Sequence, residues 1–375
     1  MTMTNSQDST ISIFMCGDVM TGRGIDQILP HPVDPRIYEW FVTDARRYVL
    51  LAEQVNGPIP KPVPFEYIWG DALDSLRRLQ PDVKIINLET SVTTCESFWP
   101  GKGINYRMHP GNIPAITAAG IDVCAVANNH VLDWDYEGLA ETLRTLAESG
   151  VRSSGAGRDL VAAAAPATVT LPGKGRVHVF SFGHGSSGIP DEWAAGDQRP
   201  GVNLLPDLTD ETADLVGDSV RKVKERGDLA IASIHWGGNW GFEIPREQIA
   251  FAHRLIDNSG IDLIHGHSSH HVKGIEVYRE KLIIYGCGDF LSDYEGISGY
   301  ERYRGDLGLM YFACLEPTGG RLKELRLVPT KVRRFQVVRA CAADRRWLRE
   351  TLDREGRLFG NRLAEESDRT LVLRW

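Results

Sequence analysis

Short apolar runs alternate along the chain with segments whose apolar residues recur every three or four positions. The first pattern predicts buried strands and the second predicts helices that pack on them. "ISIFMCG" (11–17), "VKIINLE" (83–89), "IDVCAVANNH" (121–130), "DLAIASIHWG" (228–237) and "IDLIHGH" (261–267) read as strands. Helical spacing occupies 67–80, 112–120, 135–150, 210–227 and 245–260, with Gly120, Gly150 and Gly260 as stops. Residues 166–171 and 176–182 form a hairpin pattern around "PGKG". Strands at 274–278, 281–286 and 307–315 follow, then a further one at 322–330 and a helix near 343–358. This alternation predicts an α/β fold, with mixed sheets because the later part is richer in strands. The stretch 30–66 carries Pro30, Pro32, Pro35, Pro58, Pro60, Pro62 and Pro64 and is predicted to be an irregular insertion, part of a lid. Residues 183–209 read as loop.

Composition narrows the class. The chain has 375 residues, 42% hydrophobic and 25% charged, which suits a globular protein with a large core. Residues 1–10 are predicted to be disordered. Residues 11–375 are predicted to form a single domain, with a strand and helix extension from about 316. A net charge of −8 argues against a nucleic-acid partner. The polar start "MTMTNSQDST" is no secretory signal, and no apolar stretch reaches the ~18 residues of a membrane span. A cytoplasmic protein without a membrane anchor is the expectation, and the oligomeric state is open. None of the six cysteines forms a CxxC pair, so reduced, mostly buried thiols are expected.

The candidate chemistry lies where the strands end. "ISIFMCG" leads to Asp18, "VKIIN" to Glu89, "IDVCAVA" to Asn128, Asn129 and His130, "LAIASI" to His235, and "IDLI" to His265, His267 and His270. Each has a plainer reading: a turn cap, an ion pair, a left-handed Asn, a hydrogen-bonded core imidazole. Five convergent tips point instead to a site at the carboxyl ends of the strands. Carboxylate, amide and imidazole donors without thiolate suit one or two divalent transition metals (Mn, Fe or Zn) in an open catalytic site. His130 follows Asn129 directly, so the two side chains point different ways. If Asn129 faces a metal, His130 can reach the substrate as a proton donor, with Asp133 orienting its ring. Arg23 in "TGRG" and Arg107 in "YRMHP" are candidates for holding an anionic group. The "GHGSSG" loop offers His184, Ser186 and Ser187 as substrate contacts.

These motifs resemble the CapA (PgsA) poly-γ-glutamate/capsule biosynthesis family, whose fold is that of the calcineurin-like metallophosphoesterases. The similar stretches are "CGDVMTGRG", "INLETSVT", "YRMHP", "VANNHVLDWDYEGLAETL", "SSGAGRDL", "IHWGGNWGFEIPREQ", "GIDLIHGHSSHHVKGIEVY" and "KLIIYGCGDFLSDY", over about 11–295. The resemblance implies a four-layer αββα sandwich of two mixed sheets. It implies one metal on Asp18, Glu89 and His270 and another on Glu89, Asn129, His235 and His267, with His130 near the scissile bond. It further implies a metal-dependent hydrolase acting on a small anionic molecule: a phosphoester, or an amide such as a γ-glutamyl peptide. A non-catalytic assembly or polymer-binding role is the alternative. Met20 stands where the phosphoesterase motif has a histidine, which predicts one tight and one weaker metal. "GDF" replaces the family's Gly-Asn-Phe, placing an extra carboxylate, Asp289, near the site.

Overall fold

The computed structural model describes residues 10–375, so the expectation for the extreme N-terminus lies outside the described residues. The predicted strands form, and they assemble into two large sheets. The first has ten strands. Its main path runs Arg362–Glu365, Leu371–Arg374, Leu322–Arg333, Leu307–Leu315, Ile11–Val19, Val83–Leu88, Val123–Ala125 and Arg152–Ser154. Asp289–Leu291 adds in parallel to Ile11–Val19, and Gln336–Arg339 pairs with Leu322–Arg333. The second sheet has seven strands. It runs Leu204–Leu205, Gly175–His184, Leu229–His235, Leu263–His267, Lys281–Ile284 and Ile275–Tyr278, with Ala167–Leu171 on Gly175–His184. Both sheets mix parallel and antiparallel pairs.

Strand alternation explains how these sheets pack. Ile11, Ile13 and Met15 share one core with Val177, Val179, Leu229, Ile231 and Leu263, so one face of each sheet meets the other. Phe14 and Cys16, on the opposite face of the first strand, pack with Ile68, Trp69, Ala72 and Leu139 from the helical segments. Ala230, Ala232 and Ile234 pack outward on Ala213, Val216, Phe251 and Leu255 of the helices Asp210–Arg221 and Arg246–Asn258. No helix among the described residues is long and apolar enough to cross a membrane.

Two departures have physical reasons. The proline-rich stretch contains a helix, Arg46–Asn56, bounded by prolines at 35 and 58 rather than interrupted by them. It buries Tyr48, Val49 and Ala52, enough apolar surface to overcome its polar composition. At the C-terminus, two short strands follow the last helix and extend the ten-stranded sheet. All six cysteines are free; Cys16, Cys124 and Cys287 are buried.

One close approach fixes the site's floor. A Cβ on Gly17 would sit 1.6 Å from the Gly288 carbonyl oxygen, and Asp18 N–H donates to that same oxygen at 3.1 Å. Only a glycine lets the first strand lie against 288–289. Gly17→Ala is therefore expected to cost about 3 kcal/mol, at the upper end of overpacking. Urea unfolding would measure it, and a loss under about 0.5 kcal/mol would refute the steric argument.

Candidate metal centre

The two sheets present their strand ends to each other. From the ten-stranded sheet come oxygen donors. Asp18 is in register with Asn87 on one side and Asp289 on the other, Glu89 follows Leu88, and Asn129 lies beyond Val123–Ala125. From the seven-stranded sheet come imidazoles. His235 and His267 are register partners, and His270 follows three residues later. His267 Nδ1 lies 3.9 Å from Asp18 Oδ1, which joins the two sets.

Hydrogen bonds fix most of these donors. Asn87 Nδ2 donates to Asp18 Oδ1 at 2.7 Å, and the Ser268 N–H approaches Asp18 Oδ2 at 3.3 Å. Ser268 holds a φ of +103°, a costly conformation for a side chain with a Cβ. His265 Nε2 is 2.7 Å from the Cys16 carbonyl, and its Nδ1 is 3.0 Å from Ser233 Oγ. Ser233 Oγ in turn lies 2.9 Å from His267 Nε2. This chain turns the other nitrogen of His267, Nδ1, to the site, where it lies 2.8 Å from His235 Nδ1. His235 Nε2 is 3.0 Å from Asn129 Oδ1 and 3.8 Å from Glu89 Oε1. Among the described residues, two triads bring their ligand atoms within 4.8 Å of one another: Asp18, His235, His267 and Asp18, His270, Asp289. Asp18 belongs to both, whereas the resemblance gives the shared place to Glu89.

The electrostatics suit a cation. Burial, and next the Asp289 carboxylate, push Asp18 up to about 7; burial with the Asp18 and Asp289 charges drives Glu89 well above its ordinary value. Burial pulls His235 and His267 far down, so both are neutral and able to ligate. For His270, burial acts downward, but the Asp289 charge and hydrogen bond outweigh it and raise the imidazole. Asp289 Oδ2 is buried with no hydrogen-bond partner. Crowded carboxyls, facing imidazole nitrogens and an orphaned oxygen are the donor chemistry of a divalent metal site.

Beside these donors lies a second arrangement. His130 is buried and stacks on Tyr106 with ring centroids 3.8 Å apart. Its Nδ1 is 2.6 Å from Asp133 Oδ2, and its Nε2 faces Glu89 Oε1 at 3.9 Å. Lys102 Nζ lies 3.1 Å from Asp133 Oδ1. Burial, with Lys102 second, holds the His130 imidazole well below its ordinary value. Burial raises the Asp133 carboxyl to about 7, against the pull of Lys102.

The candidate anion-binding residues are placed differently. Arg23 is buried and already faces two carboxylates, Glu39 at 2.8 Å and Asp293 through Nη2 at 2.5 Å; its guanidinium also lies over the rings of Tyr48 and Tyr106. Arg107 donates to the Cys95 and Asp34 carbonyls, stacks on Trp134 and lines a small surface pocket with Glu96 and Tyr38. In the 183–188 loop His184 Nδ1 is 2.7 Å from Ser186 Oγ, and Ser187 Oγ donates to the His184 carbonyl. Gly237 N–H donates to Ser186 Oγ, tying this loop to the turn after His235. His271 belongs to neither triad; its ring packs against those of Trp240 and Tyr303, which also meet each other. His253, on the helix Arg246–Asn258, pairs with Glu276 of the strand Ile275–Tyr278 at 2.9 Å.

Sequence reasoning missed Asn87, Lys102 and Tyr106. Asn87 is two residues before Glu89 and so shares its face of the strand, a signal that period-two alternation carries. Lys102 and Tyr106 come from an irregular loop with no period to read.

An α/β chain of two facing mixed sheets, with convergent carboxylates and imidazoles at its strand ends, defines the class. The chain belongs to the bacterial capsule synthesis protein PGA_cap family, which matches residues 12–294. A probable polyglutamine synthesis accessory protein of Mycobacterium tuberculosis is 49% identical over 362 residues, 96% of this chain and 95% of that one. The capsule biosynthesis protein CapA of Bacillus anthracis is 23% identical, over 76% of this chain and 61% of its own length. The PGA biosynthesis protein CapA of Bacillus subtilis is 24% identical, over 83% and 70%.

Proposed function

We propose that this chain is a metal-dependent hydrolase on a metallophosphoesterase-like αββα sandwich, cleaving a γ-glutamyl or related amide, or a phosphoester, in an anionic substrate. The observation that carries this reading is the His130–Asp133 pair. A buried imidazole backed by a carboxylate, with its free nitrogen turned to the donor cluster, is proton-transfer equipment that a purely scaffolding site does not need. Asp18, His235 and His267 would hold the first cation, with Glu89 and Asn129 alongside. A bound divalent cation would polarise the scissile group and lower the pKa of an attacking water.

The chain's own residues do the rest. Asp133 accepts from His130 Nδ1–H, which leaves Nε2 to take or return the proton at the leaving group. Lys102 offsets the Asp133 charge. Tyr106 holds the ring flat against its own, and the Arg23 guanidinium lies over the Tyr106 ring, so in this reading Arg23 positions rather than binds. His184, with Ser186 and Ser187 shaping its loop, flanks the site as the substrate contact, and Arg107 offers a charge farther out. The accessory role in the Mycobacterium relative's name favours a second reading, a non-catalytic partner in making a glutamyl polymer.

A substrate screen separates the two. Purified protein loaded with Mn2+, Fe2+ or Zn2+ is offered phosphoesters beside γ-glutamyl amides. Turnover that vanishes with a chelator and returns with metal is the expected result. Stable binding of polyglutamate with no turnover on either class under any metal would favour the accessory reading.

A further inference from the structure

We propose that Asp289 is a metal ligand in its own right, forming with Asp18 and His270 a second, oxygen-rich cation site that prefers Mn2+ or Mg2+. This rests on the reading above that the strand-end cluster binds metal. Three observations carry it. Asp289 is the parallel register partner of Asp18, so the two carboxylates are delivered side by side. One ligand atom each from Asp18, His270 and Asp289 lies within 4.8 Å of the others. Asp289 is 2% exposed and its Oδ2 has no hydrogen-bond partner, while Oδ1 is 2.9 Å from His270 Nδ1. A buried carboxylate oxygen without a donor is expensive, and a cation is the partner that satisfies it.

The two triads differ in kind. Asp18, His235 and His267 give two imidazoles and one carboxylate, a set suited to Zn2+ or Fe2+. Asp18, His270 and Asp289 give two carboxylates and one imidazole, a harder set suited to Mn2+ or Mg2+. Met20, buried at 1% exposure, supplies only a thioether, a poor donor to a hard cation. Asp289 thus makes good the missing position-20 ligand from a neighbouring strand. The expected asymmetry is then one of metal identity as well as affinity.

The rival role for Asp289 is to orient His270 without touching metal, as outer carboxylates often do. A double-mutant cycle separates them. Mn2+ binding is followed by the EPR signal of free Mn2+, and Zn2+ by elemental analysis, in the wild type, Asp289→Asn, His270→Ala and the double variant. Asp289→Asn is expected to weaken Mn2+ by at least about tenfold and leave Zn2+ in place. In the His270→Ala background it should weaken Mn2+ by a similar factor again, since a direct ligand acts without the imidazole. No added effect in that background overturns the proposal, as does wild-type Mn2+ affinity in Asp289→Asn. Asp289→Ser carries the same expectation should the Asn variant fail to fold by circular dichroism. A wild type that takes up Zn2+ but no Mn2+ or Mg2+ sinks this inference alone. A wild type that takes up no metal sinks the hydrolase reading with it.

Discussion

Replacing His130 with alanine should leave the metal content unchanged and cut turnover by about 10²–10⁴, the usual scale for losing a general acid or base. The geometry separates these two outcomes. His130 belongs to neither donor triad. Its Nδ1 is engaged by Asp133 and its ring by Tyr106. Removing it therefore takes away a proton carrier and a stacking partner, not a ligand. Asp133→Asn should give a smaller fall in the same quantity, because the ring keeps its place but loses the charge that favours its protonated form. The assignment fails if His130→Ala arrives without metal, or turns over like the wild type when chemistry limits the rate.

His235→Ala and His267→Ala should lose metal and activity together. Each supplies a neutral nitrogen within a buried triad. The lost affinity should exceed the about 10–100-fold that outer partners of a ligand cost. Elemental analysis after exhaustive dialysis measures it, with thermal melting to confirm a folded chain. Full metal content in both variants would refute the first triad. Ser233→Ala offers a graded control: its hydroxyl bridges His265 and His267, so its removal should loosen the ligand ring without deleting it.

Much of this centre is visible in the sequence because strands write their ends plainly. An apolar run that stops at Asp18, His235 or His267 marks a buried strand and its tip together. Asp289 is a different case. Its residue type departs from the family pattern, but its meaning depends on a register with Asp18 that no local window contains. Lys102 and Tyr106 are hidden for the same reason, since they meet His130 and Asp133 only through loop closure. The helix Arg46–Asn56 was obscured by prolines that delimit it. The strands Arg362–Glu365 and Leu371–Arg374 are too short for alternation to stand out, and they exist because Leu322–Arg333 offers them an edge.

The division of donors by sheet has a consequence for how the molecule is built. Oxygens come from one sheet and nitrogens from the other, so each triad is complete only when the two sheets are together. On the proposed metal reading, affinity for a cation would be a gauge of sheet docking, lost when the two halves separate. A cation held there acts as a clasp between layers that otherwise adhere through side-chain packing. At a thousand times its dissociation constant it would add about 4 kcal/mol against that separation. If the proposed metal chemistry holds, the same coupling would tie it to the integrity of the chain, since a partly opened molecule would release its metal.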